Sequence, residues 1–279
     1  MAVLDCREAA RSIKEELAKK VLLLADKGSR PKLGIIRVGA RPEDISYERG
    51  IMKNCESIGV SCQVMALDED ISNEDFMNTL EAANKDESIN GILVFRPLPP
   101  HIDENKARHL IDPAKDIDCM NPSNLAKVFE GDDSGFKPCT PAAVMEIIKF
   151  FGINLQGENV VVIGRSMVVG KPLSMMLLKE NATVTICHSR TKDIKNIVSR
   201  GDIVVAAIGK ARAIGADYIK PGAVVIDVGV NSAPEGGICG DVDFDNVKDI
   251  ASKITPVPGG VGAVTNLMLL KHVVEAALR

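Results

Sequence analysis

The run Val160 to Pro172 reads Val-Val-Val-Ile-Gly-Arg-Ser-Met-Val-Val-Gly-Lys-Pro. An apolar, mostly β-branched stretch stops at a glycine, a short turn follows, and a second glycine opens a helix. A strand that feeds a helix through a glycine-framed turn belongs in a parallel sheet, where it begins a dinucleotide-binding unit. The turn departs from the common glycine pattern. Only Gly164 and Gly170 frame it, and Arg165-Ser166 stand where a small residue and a further glycine normally lie.

Loops after parallel strands gather at one edge of the sheet. Gly164, Arg165, Ser166, Gly170 and Lys171 are therefore expected to present backbone amides and a helix N-terminus to a pyrophosphate. The second strand of the unit refines the cofactor. An NAD site usually ends that strand with Asp or Glu to hold the ribose diol, whereas this one ends Cys187-His188-Ser189-Arg190, with no acid and one fixed cation. Arg165, Ser166, Ser189 and Arg190 together suit a 2′-phosphate, which favours NADP over NAD. The competing reading leaves these as solvated surface residues.

With 279 residues and 46% hydrophobic content, the chain has material for two buried cores. A net charge of −4 gives no electrostatic reason to bind nucleic acid or an anionic membrane, so small molecules are the expected partners. Met1 to Lys20 mixes charged and apolar residues in a helical pattern and reads as neither signal peptide nor membrane span. The 7 cysteines are scattered and never form Cys-x-x-Cys, which argues against a disulfide framework or zinc site and fits a reducing cytoplasm. Each reads first as a small buried apolar residue.

A helix is expected from Asp5, with Glu8 completing a capping box and Ala9, Ile13, Leu17 and Val21 on its apolar face. Strands Leu33 to Val38, Val60 to Ala66 and Gly91 to Phe95 then alternate with helices Pro42 to Ile58 and Ser72 to Asn84. Prolines 97, 99, 100 and 113 make Arg96 to Asn121 a connection with one short helix. A second series starts with a helix from Thr140 to Phe151. It continues with strands at Val160 to Ile163, Thr183 to Cys187, Ile203 to Ala206 and Val224 to Val228. A last helix, Ala263 to Leu278, is placed to pack back on the first series. The expected fold class is α/β in two domains: residues 1–121 with the C-terminal helix 263–279, and a doubly wound Rossmann-type domain over 122–262.

Further ordered segments carry a family resemblance. They are Lys115-Asp116-Ile117-Asp118, Pro138-Cys139-Thr140-Pro141, Gly164-Arg165-Ser166 through Val169-Gly170-Lys171-Pro172, Thr183 through Thr191, Asp227-Val228-Gly229, Gly240 through Phe244, and Pro256 through Gly262. Together they resemble the methylenetetrahydrofolate dehydrogenase/cyclohydrolase family over essentially the whole chain. The resemblance implies a homodimer whose protomers hold tetrahydrofolate in a cleft between a folate-binding catalytic domain and an NADP domain. It implies oxidation of 5,10-methylenetetrahydrofolate to the 5,10-methenyl form by hydride transfer to NADP, usually followed by hydrolysis, and no metal. It assigns Asp118 to the pterin ring through paired hydrogen bonds and Tyr47 to the aminobenzoate ring. Phe95, Pro258, Gly259 and Gly260 join Tyr47 and Asp118 in the implied substrate site.

The chain departs from that family where hydrolysis is carried out. The family pattern pairs the tyrosine with a lysine four residues on and with a glutamine on the strand that ends at Phe95. Here those positions are Ile51 and Phe95. Lys53 is a poor substitute in a regular helix, because at about 100° per residue it points away from the face shared by Tyr47 and residue 51. Asp44, Cys119 and Ala263 replace a usual serine, glycine and proline. The expectation is a dehydrogenase with weak or absent cyclohydrolase activity. Three alternatives stay open: a bifunctional enzyme using Asp118, Tyr47 or a rearranged Lys53; a relative acting on another substrate; and a protein that binds without turnover.

Overall fold

The computed structural model describes residues 2–279. In chain order the first half contains β1 (Ala2–Val3), α1 (Cys6–Asp26), β2 (Lys32–Val38), α2 (Pro42–Ile58) and β3 (Ser61–Leu67). There follow α3 (Asn73–Lys85), β4 (Gly91–Val94), α4 (Glu104–Leu110) and α5 (Pro122–Glu130). The second half holds α6 (Cys139–Phe150), β5 (Asn159–Ile163), α7 (Gly170–Lys179), β6 (Thr183–Cys187), α8 (Ile194–Val198), β7 (Ile203–Ala206) and β8 (Val224–Asp227). It closes with β9 (Asn231–Ser232), β10 (Ile238–Cys239), α9 (Phe244–Val247), β11 (Lys253–Ile254) and α10 (Gly262–Ala277). No helix among the described residues is long and apolar enough to cross a membrane.

The chain divides into two compact units, one of residues up to Arg11 with Thr140–Thr265, the other of Ser12–Cys139 with Asn266–Arg279. The expected boundary at 121/122 precedes α5, whereas this division follows it. The end of the last helix falls with the first series, and Val273 there packs within 3.0 Å of where a Cβ on Gly91 would lie.

In the cofactor-type unit, the sheet runs β1-β11-β8-β7-β5-β6 with every pair parallel. The runs Val160–Ile163, Ile203–Ala206 and Val225–Asp227 are buried throughout, as central parallel strands covered on both faces must be. Chain order along the sheet goes outward from β5 to β6, then back past β5 to β7 and β8. That reversal opens a crevice at the carboxyl ends of β5 and β7. The other unit repeats the logic in miniature. Its sheet runs β3-β2-β4, all parallel, so the reversal lies between β2 and β4.

The expected start of α1 needs a correction. Asp5 flanks the helix, but its carboxylate accepts the Arg7 amide at 3.0 Å and the Arg7 guanidinium at 2.6 Å, while its own N–H donates to Val3 O. Glu8 therefore completes no capping box, because the strand-like Val3 carbonyl and Arg7 take both halves of it. Ser72, by contrast, caps α3 as expected by accepting the Asp75 amide at 3.0 Å.

Candidate active site

The crevice of the larger sheet is a cavity of about 550 Å³ lined from three loops. Gly164, Arg165 and Ser166 come from the loop after β5, His188 and Ser189 from the end of β6, and Ala207, Ile208, Lys210, Ala213 and Ile214 from the loop after β7. Gly164 sits at φ +139°, and a Cβ there would lie 2.2 Å from the Ala207 carbonyl oxygen, so the two flanking loops meet backbone to backbone. Ser166 Oγ accepts the Val169 amide at 3.0 Å, which folds the turn into α7 and leaves its hydroxyl hydrogen to donate elsewhere.

The expected residues divide here. Gly164, Arg165, Ser166 and Ser189 share the cavity. Gly170 is buried at the head of α7, where a Cβ would lie 2.2 Å from the Gly164 carbonyl oxygen; its smallness lets the helix close on the turn. Lys171 and Arg190 are exposed and do not line the cavity. The Arg190 amide instead donates to His188 Nδ1 at 3.2 Å. With Nδ1 engaged as the acceptor, Nε2 is the ring nitrogen left to face a ligand. His188 and Lys210 were not singled out from sequence. His188 was legible as a neighbour of Ser189, but Lys210 follows β7 with no motif to mark it.

Two buried carboxylates support this crevice from below. Asp241 is 0% exposed and accepts the amides of Ile208, Gly209 and Lys210. Asp227 accepts the amides of Gly229, Asp241 and Val242. Burial pushes its carboxyl up to about 6 against the pull of those three hydrogen bonds.

In the other unit, Tyr47, Phe95 and Asp118 lie together at the second reversal point. The Tyr47 and Phe95 rings are 5.4 Å apart at 43°. Phe95 follows β4 directly. Asp118 is placed by a turn that pairs Asp116 with Ile92 of β4. The Lys115-Asp116-Ile117-Asp118 segment now has a local reason for each residue. Lys115 Nζ donates to the carbonyls of Asn84 and Asp86, each at 2.7 Å, tying the turn to the end of α3. The Asp116 carboxylate accepts the Met120 and Asn121 amides at 2.8 Å and the Asn124 side chain at 3.0 Å. Ile117 is fully buried against Gly91, which leaves Asp118 at the rim.

Asp118 Oδ2 pairs with the Arg96 guanidinium at 3.3 Å, both side chains about a quarter exposed. The remaining groups of the cluster are held protonated. Burial and the Asp118 carboxylate raise the Tyr47 phenol above its ordinary range. Burial raises the Cys119 and Cys139 thiols, with Asp118 adding to both. Cys119 stands at φ +57°, a left-handed conformation that gives a physical reason for glycine as the usual residue there. Beneath the turn, His272 meets Ile117 O through Nδ1 at 2.7 Å, and burial lowers its imidazole to about 4.

Ile51 is 1% exposed and Phe95 5%, so both departures from the family pattern are apolar and buried. Lys53 is exposed on α2. Pro258, Gly259 and Gly260 belong to the unit of the larger sheet, where Gly259 O accepts the Cys6 amide at 3.0 Å; Tyr47, Phe95 and Asp118 belong to the other.

Comparison with known proteins agrees with this division of labour. Residues 4–118 match the family described as tetrahydrofolate dehydrogenase/cyclohydrolase, catalytic domain, and residues 138–279 match its NAD(P)-binding domain. The chain is 53% identical over 274 residues to the bifunctional protein FolD of Clostridioides difficile (strain 630), covering 98% of this chain and 96% of that one. The crystal structure of bifunctional FolD from Campylobacter jejuni superposes with a TM-score of 0.98 at 40% identity, over 100% of this chain and 99% of that one. The Trypanosoma brucei enzyme, solved with NADP cofactor and inhibitor, superposes with a TM-score of 0.94 at 38% identity, over 100% and 98%. Matched in both halves and along nearly its full length, this chain belongs to the tetrahydrofolate dehydrogenase/cyclohydrolase family.

Proposed function

We propose that the protein oxidises 5,10-methylenetetrahydrofolate with NADP and releases 5,10-methenyltetrahydrofolate, with hydrolysis of that product weak or absent. The observation that carries this reading is the burial of Ile51 and Phe95 where the family pattern has lysine and glutamine. Oxidation asks little of acid–base groups, because the substrate nitrogens drive the hydride out and the protein chiefly aligns the partners. Hydrolysis asks for a group that takes a proton from water.

The cluster around Asp118 offers poor candidates for that task. Tyr47, Cys119 and Cys139 are held protonated, and Arg96 carries a guanidinium that no protein site deprotonates. The Asp116 carboxylate is buried and taken up by Met120, Asn121 and Asn124, and one oxygen of the Asp118 carboxylate is engaged by Arg96. In this reading Asp118 accepts the amino and ring N–H groups of the pterin, and Tyr47, backed by Phe95, packs on the aminobenzoate ring.

NADP, when bound, supplies the hydride acceptor. Arg165, Ser166, His188, Ser189 and Lys210 would hold it, since the cavity offers cationic and hydroxyl donors and no carboxylate that would repel a 2′-phosphate. Arg190 and Lys171 then contribute from outside the cavity, as charge. We also infer tetrahydrofolate as the substrate class, supported by family membership, and a homodimer as the working form, which rests on the resemblance alone.

The test is Asp118→Asn. Replacing an acceptor oxygen by a donor should lower kcat/KM for methylenetetrahydrofolate by about a hundredfold, with NADP affinity unchanged. Unchanged turnover would remove Asp118 from the site.

A further inference from the structure

The loop after β7 forms one wall of the cavity and has no regular structure to use its own amides. Consecutive N–H groups at Ile208, Gly209 and Lys210 all point to one buried carboxylate. Asp241 Oδ2 accepts from Ile208 at 2.6 Å and Gly209 at 3.0 Å; Oδ1 accepts from Lys210 at 2.8 Å and from Asn231 Nδ2 at 2.9 Å. Each oxygen thus accepts from two donors, so both halves of the carboxylate are used.

Asp241 is itself fixed from β8. Asp227 Oδ1 accepts the Asp241 amide at 3.0 Å and the Gly229 amide at 2.9 Å, Oδ2 accepts Val242 at 2.9 Å, and the Asp227 amide donates to Thr255 Oγ1 at 2.8 Å. The approach is so close that a Cβ on Gly240 would fall 1.8 Å from Asp227 Oδ2, and one on Gly229 would fall 2.3 Å from Asp241 Cγ. Main-chain bonds extend the contact, with Arg212 N–H to Gly240 O at 3.0 Å and Ile214 N–H to Asp241 O at 2.9 Å.

The geometry points to Asp241 as a positioning residue for the cofactor, with Asp227 as its support: together they hold the wall from Ala207 to Lys210 in the shape that NADP occupies. This rests on the cavity being the NADP site. Asp241 touches no bound molecule; it acts through the loop whose amides it orders. The wall is therefore formed before the cofactor arrives, and binding does not bear the cost of ordering it.

Asp241→Asn is nearly isosteric, and in either rotamer its NH₂ group faces N–H donors, toward Ile208 and Gly209 or toward Lys210. The variant should raise the Kd for NADPH, read by fluorescence titration, about tenfold, while the KM for methylenetetrahydrofolate changes less than about twofold. An unaltered NADPH Kd in the folded variant overturns the assignment. A second measurement needs no variant. Amide hydrogen exchange at 208–210 in the unsubstituted protein should be slow without NADP and little slower with it. Fast exchange that NADP suppresses would show the cofactor ordering the wall, against the proposal. Arg165→Ala separates the underlying reading: if it leaves NADPH binding intact, the cavity assignment fails; if it weakens binding while Asp241→Asn does not, only the role of Asp241 fails.

Discussion

Both units place their candidate residues at the same topological position, the reversal between the first and third strands of a parallel sheet, yet they treat it in opposite ways. At β5 and β7 the crevice is left open, its walls set by backbone amides and its lining mixed with cationic and hydroxyl groups. At β2 and β4 the corresponding place holds the Tyr47 and Phe95 rings packed together, with Ile51 buried one turn further along α2 and the pair Arg96–Asp118 at the rim. One topology supplies the place; the side chains decide whether it binds a polyanion or presents a flat, mostly apolar face to a ring system. In the function proposed above, the departures at residues 51 and 95 would remove proton-transfer groups while leaving packing surfaces.

Acid should separate the two units most strongly. His272 is lowered to about 4 from an ordinary value near 6.5, so the unfolded chain protonates first as pH falls. Its contribution to stability is complete above about 6.5 and drains away toward pH 4, a loss of about 3 kcal/mol. Asp227 has the reverse sign. Its raised carboxyl binds a proton more readily in the folded state, so its contribution grows as pH falls from about 6 toward 4. Exchange protection of β4 amides should therefore drop more than that of β8 amides between pH 7 and 4.5, and His272→Gln should flatten the β4 response. Equal responses of the two sheets would break the contrast.

The open crevice can be probed by charge. Arg165→Ala should weaken NADP binding about tenfold more than NAD binding, whereas Arg190→Ala, outside the cavity, should change that ratio less than about threefold. The reverse ranking, read from parallel titrations, would return Arg190 to the phosphate site. For the filled reversal point, the double variant Ile51→Lys with Phe95→Gln should raise enzyme-dependent methenyltetrahydrofolate hydrolysis by about tenfold. Because residue 51 is 1% exposed, folding must be verified alongside; no gain in a folded variant would locate the missing hydrolysis elsewhere.

Much of this was legible in the sequence because it rests on local rules. Continuous apolar runs marked β5, β7 and β8, Gly164 marked the turn, and Ser72 marked the start of α3. What stayed hidden depends on contacts across long stretches of chain. β1 and β11 are two-residue strands with no periodicity, and they exist through pairing with each other and with β8. Asp241 looked like part of a motif but not like the acceptor of amides some thirty residues earlier. Arg96 is the residue beside a noted substitution, and only the folded turn brings it to Asp118. Arg190 is the reverse case: its loop was legible, but not that it stands outside the cavity lining with its amide donating to His188 Nδ1.

The proposed function pairs oxidation with weak or absent hydrolysis. The most direct measurement follows purified protein with 5,10-methylenetetrahydrofolate and NADP by full ultraviolet spectra, quantifying NADPH and the methenyl product separately against an enzyme-free control. NADPH and methenyl should rise together, with methenyl decaying no faster than in the control. NADPH rising while methenyl disappears at a rate proportional to protein concentration would contradict the account and show hydrolysis working without the lysine.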